Sequence, residues 1–283
     1  MKGLAAFVMR GRVQASGAAA IASALPLVSW IGAAIVALIV LRQGLKEGAL
    51  VALWAALPLI VAFQVGGDSS GLIALAGTVA IAVTLRLTGS WELTLYACVV
   101  ASGVGSLLFS VISEPILITF VEWYVGMVEQ LAVEQNLNPV SVDEGRRQAV
   151  SFLAMGQAYL MVGALMLSRW WQSVLFNPGG FGQELKQTRL SLKAVVPIVL
   201  VGLLLAVQDG MGSWLGLLTV PFVVIGAGLV HEILAARGVS HQWYVMFYVT
   251  LLLFFQAVCA ALVVLVTVDS AMDIRQRMRS KED

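Results

Sequence analysis

Apolar positions in this chain run on without alternating, and charges mark where each run stops. No Asp, Glu, Lys or Arg falls between Arg12 and Arg42, Glu47 and Asp68, Asp68 and Arg86, or Glu92 and Glu114. The same holds from Arg147 to Arg169, Lys193 to Asp209, Asp209 to Glu232, and Arg237 to Asp269. A helix rising ~1.5 Å per residue needs about 20 apolar residues to cross ~30 Å of hydrocarbon. The eight runs therefore predict spans near 15–41, 48–66, 70–87, 92–112, 148–170, 190–208, 212–231 and 242–268. In hydrocarbon every backbone N–H and C=O must be paired within a helix or a closed barrel. The unbroken apolar stretch Leu251 to Phe255 lacks the alternation of a barrel strand. The predicted class is all-α: a polytopic transmembrane helix bundle of about eight spans plus one interfacial amphipathic helix.

Three runs carry a complication. The first contains Pro26 and fits either one tilted helix or a kinked pair of short segments. The sixth is short, but Leu190 and Leu192 extend it and Lys193 can snorkel to the interface. The last is long and opens on His241-Gln242-Trp243-Tyr244, whose aromatics read as an interfacial anchor.

Between Ser113 and Arg147 the pattern changes. Ser113 fits an N-cap and Pro115 the first turn. Leu117, Phe120, Tyr124, Met127, Val128 and Leu131 share one helical face, with Glu122 and Glu129 opposite. This predicts an amphipathic helix near 114–134 lying on the membrane surface, ended by a turn over Asn136 to Ser141. In the loop from Trp170 to Lys193, the paired Trp170 and Trp171 belong at headgroup level. Asn177, Pro178, Gly179 and Gly180 form a turn signal, and a basic stretch of Lys186, Arg189 and Lys193 follows.

Composition agrees with burial in lipid. The chain is 60% hydrophobic and 12% charged, with a mean hydropathy of +0.92, where a soluble domain carries about 25% charged residues. No long polar segment divides it, so residues 1–283 read as a single membrane domain. A net charge of +1 gives no field for nucleic acid. Cys98 and Cys259 sit within apolar runs and read as small buried hydrophobes. The N-terminal bases Lys2, Arg10 and Arg12 resemble a signal peptide, but hydropathy rises after Ala22-Ser23-Ala24, which favours an uncleaved first membrane segment. With eight spans, nine basic residues fall on the side of the termini and eight on the other. The bases at both ends favour termini inside.

No catalytic, metal or cofactor motif emerges, and an enzyme is not expected. His231-Glu232 begins like a zinc-binding helix, but Ala235 stands where the second His belongs. Gly103-Val104-Gly105 lies within a run and reads as close helix packing. Arg42, Glu47, Glu122 and Glu129 are the candidates for a polar site, the two helix carboxylates being weighed against the wet face of an interfacial helix. Ala18 and Ala22, or Ala20 and Ala24, are four apart and are candidates for a close contact with a partner helix. The two shortest runs do not occupy corresponding halves, so the inverted-repeat pattern of many transporters is not met.

Arg42-Gln43-Gly44-Leu45-Lys46-Glu47-Gly48, the Glu114 to Glu129 helix, and Asn177-Pro178-Gly179-Gly180-Phe181 with Arg189-Leu190 resemble the YybS-like membrane proteins of bacteria, over nearly the whole chain. The early helices are also similar to those of the substrate-capture subunits of energy-coupling-factor transporters. There, small residues four apart on the first helix meet the transmembrane coupling subunit, and Ala18 and Ala22 are the matching positions. These resemblances imply a multi-pass protein of the bacterial inner membrane and a small-molecule binding or transport subunit. Besides the bilayer, its implied partner is a coupling subunit or a second copy of the chain. The alternative is a non-transporting scaffold that recruits envelope or cytosolic partners. A polar cavity among the helices favours the first reading. A solid apolar core with a polar surface groove favours the second.

Overall fold

The computed structural model describes residues 2–135 and 140–275. The turn expected around Asn136 and Pro139 lies outside them, as do Arg277, Arg279 and Lys281. The described chain has no strand. Its helices are α1 (Lys2–Val8), α2 (Arg12–Ala24), α3 (Ser29–Gln43), α4 (Leu45–Gly66), α5 (Ser70–Thr88), α6 (Trp91–Ile112), α7 (Glu114–Gln135), α8 (Val142–Phe176), α9 (Gly180–Gln187), α10 (Leu192–Val207), α11 (Leu215–Ala236), α12 (His241–Leu253) and α13 (Phe255–Met272). Among the described residues seven helices are long and apolar enough to cross a membrane. The number is eight if α9 and α10, bent by 66°, count as one span. The chain is an integral, multi-pass helical membrane protein.

Of the two forms open to the first apolar run, near 15–41, the structure has the pair of helices. Pro26 lacks an N–H and holds the preceding residue out of the helical region. Leu25 accordingly sits extended at φ −98°, ψ 111°. A short 3-10 turn, Pro26–Val28, follows and α3 starts at Ser29. The guanidinium of Arg12 pairs with Glu47, which places the start of α2 beside the start of α4 and hence the end of α3. The two helices thus form a hairpin. Gly32 lets them touch, because a Cβ there would lie 2.1 Å from Ser23 Oγ.

The last run, expected as one span near 242–268, also breaks. Phe254 (φ −122°, ψ 44°) separates α12 from α13. Contacts on either side of the break pull the two helices in different directions. Tyr244 and Tyr248 pack on His231 of α11, while Phe255 packs edge-on against Tyr159 of α8, and Cys259 and Leu262 pack with Val223. Tyr159 lies about 15 Å along α8 from Arg169. The α12–α13 pair therefore turns back partway along the outside of the bundle, with no residue of α12 buried, and returns to the end it came from.

These two hairpins change the charge topology. Hydrogen bonds and ring contacts join one end of the bundle in sequence. Arg86 binds the carbonyls of Val40 and Leu41. Arg42 stacks over Phe176 at 4.2 Å. Arg169 and Trp91 both bind Glu184, and Glu92 binds Ser191. Arg189 pairs with Asp269 and Asp273. That end collects the bases Arg12, Arg42, Lys46, Arg86, Arg169, Lys186, Arg189, Lys193, Arg237 and Arg275 against the acids Glu47, Glu92, Glu184, Glu232, Asp269 and Asp273. The opposite end holds Arg146 and Arg147 with Asp68, Glu114, Glu122, Glu129, Asp143, Glu144 and Asp209. The near tie of nine against eight becomes a basic end and an acidic end.

The core runs through α3, where Gly32 to Leu41 are buried in unbroken succession. Such a helix is apolar all round and faces protein on every side. Around it lie α2, α4, α5 and α8. At the acidic end α7 lies against the first turns of α8 and has three faces. Leu117 and Val121 are buried against Phe109, Ala149 and Val150. Phe120, Trp123, Met127 and Leu131 form an exposed apolar stripe. Glu122 and Glu129 are exposed on the third side. The buried face is turned by about one residue from the expected one, because α8 competes with lipid for the apolar side chains. An amphipathic helix at an interface has this arrangement.

Candidate functional site

A cavity of about 700 Å³ opens at the acidic end among α2, α3, α5, α6, α7 and α8. Its walls form from local features of each helix. The Pro26 break opens the hairpin tip, so that Ser23, Pro26, Ser29 and Trp30 face the space together. Ser70, Ala74 and Thr78 recur at four-residue spacing on α5, while Leu153, Gly156, Gln157 and Leu160 share one face of α8. Phe109, Ile116, Phe120 and Phe152 supply an apolar, largely aromatic flank. Asp68 is the one charged residue of the lining.

Several lining groups are polar and buried without a hydrogen-bond partner in the protein. Ser23, Thr78 and Gln157 are 4%, 1% and 3% exposed. Ser23 Oγ, Thr78 Oγ1 and both Oε1 and Nε2 of Gln157 have no partner. Each such group costs roughly 1–3 kcal/mol when left unsatisfied. Trp171, Arg189 and Ser213 carry single unpartnered atoms elsewhere, whereas the cavity brings three such side chains around one space. Native chains satisfy nearly all buried polar groups, so a cluster of exceptions needs an explanation.

The mouth is braced. Ser113, 1% exposed, donates its hydroxyl to Gly67 O at 2.7 Å and accepts from Ser69 N at 3.0 Å. The Ser69 and Ser113 hydroxyls are 2.8 Å apart. Gly67 takes φ 74°, a left-handed value open to glycine. Asp68 is thereby held between two residues pinned to the end of α6. Its Oδ1 accepts from Ser70 N at 2.8 Å.

The opposite end is closed. The side chains of Asp269 and Arg275 are 2% and 4% exposed and 3.4 Å apart. Arg275 also donates to the carbonyls of Lys186, Thr188 and Ile225. Asp269 Oδ1 accepts from Ile274 N at 3.0 Å. A close approach of Gly228 to the Leu185 carbonyl packs α9 onto α11.

The candidate residues named from sequence do not assemble. Arg42 and Glu47 lie at the basic end, Arg42 on Phe176 and Glu47 with Arg12. Glu122 and Glu129 lie exposed at the acidic end, so the four make no common polar site. Ala18 and Ala22 are half-buried against the protein's own core. The outward side of α2 carries Val13 and Ile21 instead. Asn177 to Gly180 do form the turn between α8 and α9. Gly179 is left-handed at φ 86°, Gly180 N donates to Asn177 O at 3.0 Å, and Ser173 Oγ bonds both sides of the turn. Gly105 provides the expected close packing, against Ile73. His231 Nε2 lies 2.9 Å from Tyr248 Oη.

Sequence reasoning passed over Ser23, Asp68, Thr78 and Gln157. A signal existed. Gln157 is a carboxamide inside an apolar run, and polar groups at membrane depth are expensive unless they face protein or a cavity. Comparison of the chain with protein families, with curated proteins and with solved structures returns no match.

Proposed function

We propose that the chain is a small-molecule capture subunit, for binding or transport, of a bacterial inner membrane. It takes its ligand into the cavity between α2, α5 and α8. The observation that carries this reading is the cluster of unpartnered Ser23, Thr78 and Gln157 around a space of about 700 Å³. That volume is in the range of small-molecule pockets, which are mostly apolar with a few placed polar groups. A ligand offering donors and acceptors there would relieve the desolvation cost those groups carry. The polar cavity favours this reading over the recruiting scaffold.

Basic residues favour the cytoplasmic face, so the basic end is inside and the cavity opens outward. Beyond the cavity α3 is buried without a break from Gly32 to Leu41, and passage to the cytoplasm therefore requires the bundle to rearrange. A coupling subunit or a second copy of the chain belongs to the proposal through the resemblance alone.

Gly156 supplies the test. It lines the cavity, and a Cβ there meets nothing within 4 Å, so Gly156→Trp starts its side chain in open space and projects it into the cavity. Small molecules extracted from the purified wild-type protein and from Gly156→Trp are compared by mass spectrometry, alongside thermal stability. A compound retained by the wild type and lost from an equally stable variant is the expected result. No retained compound, or equal retention by both, overturns the reading.

A further inference from the structure

Resting on that reading, we infer that the captured ligand is a flat organic cation, held at the cavity mouth by Asp68 and along its length by the aromatic flank.

The lining contains no Lys, Arg or His, and its single charge is the carboxylate of Asp68. No ion pair among the described residues engages that carboxylate. One oxygen accepts from Ser70 N, which leaves acceptor capacity on a group that has about four lone-pair sites. The Ser113 brace fixes the loop on both sides of Asp68, so little conformational entropy is lost when a ligand engages it. Trp30, Phe109, Phe120 and Phe152 line the same space. Aromatic faces attract a cation through their quadrupole, and the attraction strengthens with desolvation.

The wider field points the same way. The acidic end carries seven carboxylates against Arg146 and Arg147, and one of these bases is paired with Glu114. A mouth of one sign between low-dielectric walls raises the local concentration of the opposite ion. An anionic ligand would meet that field with no cation in the lining to bind it. Deeper in, Gln157 presents a neutral amide, so the buried part of the ligand is uncharged and forms hydrogen bonds.

The experiment uses three flat bicycles of matched size on the full-length protein in nanodiscs: 1-methylquinolinium, quinoline and quinoline-2-carboxylate. Binding is read by isothermal calorimetry above neutral pH. The cation should bind about tenfold more tightly than neutral quinoline, a gap that ion pairing plus cation–π contact can supply. The carboxylate should bind weakest. Added salt should narrow the gap. Asp68→Asn keeps the acceptor for Ser70 N and should retain the fold. It should bring the cation and quinoline to equal affinity while leaving quinoline binding unchanged.

Equal binding of cation and quinoline by the wild type, or a preference that survives in Asp68→Asn, overturns the inference and leaves the capture reading standing. Failure of all three to bind overturns it as well. The Gly156→Trp comparison then decides the capture reading by itself.

Discussion

The two ends of this bundle are built on opposite principles. At the basic end arginines are tied down. Arg86, Arg189 and Arg275 bind backbone carbonyls, Arg169 and Arg189 bind carboxylates, and a pocket between α8 and α9 is only about 120 Å³. At the acidic end the largest lining groups are aromatic, Ser23, Thr78 and Gln157 lack partners, and the cavity is about 700 Å³. One end holds its charged groups in bonds to carbonyls and carboxylates. The other gathers three unpartnered buried side chains around an open cavity. Under the proposed capture function this asymmetry has a reason, since an unfilled polar site costs stability where it sits.

The largest effect that would break the comparison is all-or-none. Single cysteines at Glu122 and Lys186, in a Cys98→Ala, Cys259→Ala background, are expected to label from opposite faces of sealed vesicles. A membrane-impermeant thiol reagent added outside whole cells should reach Glu122→Cys and not Lys186→Cys. Labelling of both from one face would undo the division into two ends.

Next in size is the closed end itself. Asp269→Ala removes a buried carboxylate that Arg189 and Arg275 share. Breaking a buried pair from one side costs about 3–5 kcal/mol. Thermal unfolding in detergent should shift down sharply, and an unchanged midpoint would show that the carbonyl contacts suffice.

Removing the amide at the open end should do the reverse. Gln157→Leu replaces an unsatisfied buried carboxamide by an apolar group of similar size. It should stabilise the free protein by roughly 1–3 kcal/mol while ligand retention falls. Destabilisation would mean that the carboxamide is already satisfied within the fold.

The smallest effect belongs to the rim. Arg146 and Glu114 pair at 3.1 Å with both side chains well exposed. Arg146→Ala should change stability by less than about 1 kcal/mol, and a loss comparable to that of Asp269→Ala would place a second closed layer at the acidic end.

How much of this was readable beforehand differs element by element. The apolar runs that became α4, α5, α6, α8, α10 and α11 were legible because transfer into hydrocarbon is a local property of about 20 residues. The interfacial helix was legible from its periodicity, and the Asn177 to Gly180 turn from its residue types. The cavity was legible only as scattered polar residues within apolar runs. Ser23, Thr78 and Gln157 lie on three different helices, and nothing in their spacing along the chain brings them together.

Hydropathy by itself determined that this chain is helical and resides in a membrane, because no other structure satisfies the backbone of so many apolar residues there. It did not determine which apolar helix faces protein. The fully buried α3 and the outward-facing α10 read alike, since a neighbouring helix and a lipid tail are equally apolar. Nor did it decide whether a long run crosses or turns back. Leu25 to Pro26 offered a break without choosing between a kink and a hairpin, and Phe254 offered none. Tertiary contacts made both choices: Arg12 with Glu47 at one hairpin, and Phe255 with Tyr159 at the other. With each hairpin a terminus moved to the opposite end of the bundle. Charges that cancel when counted along the chain are thereby sorted into a basic and an acidic end.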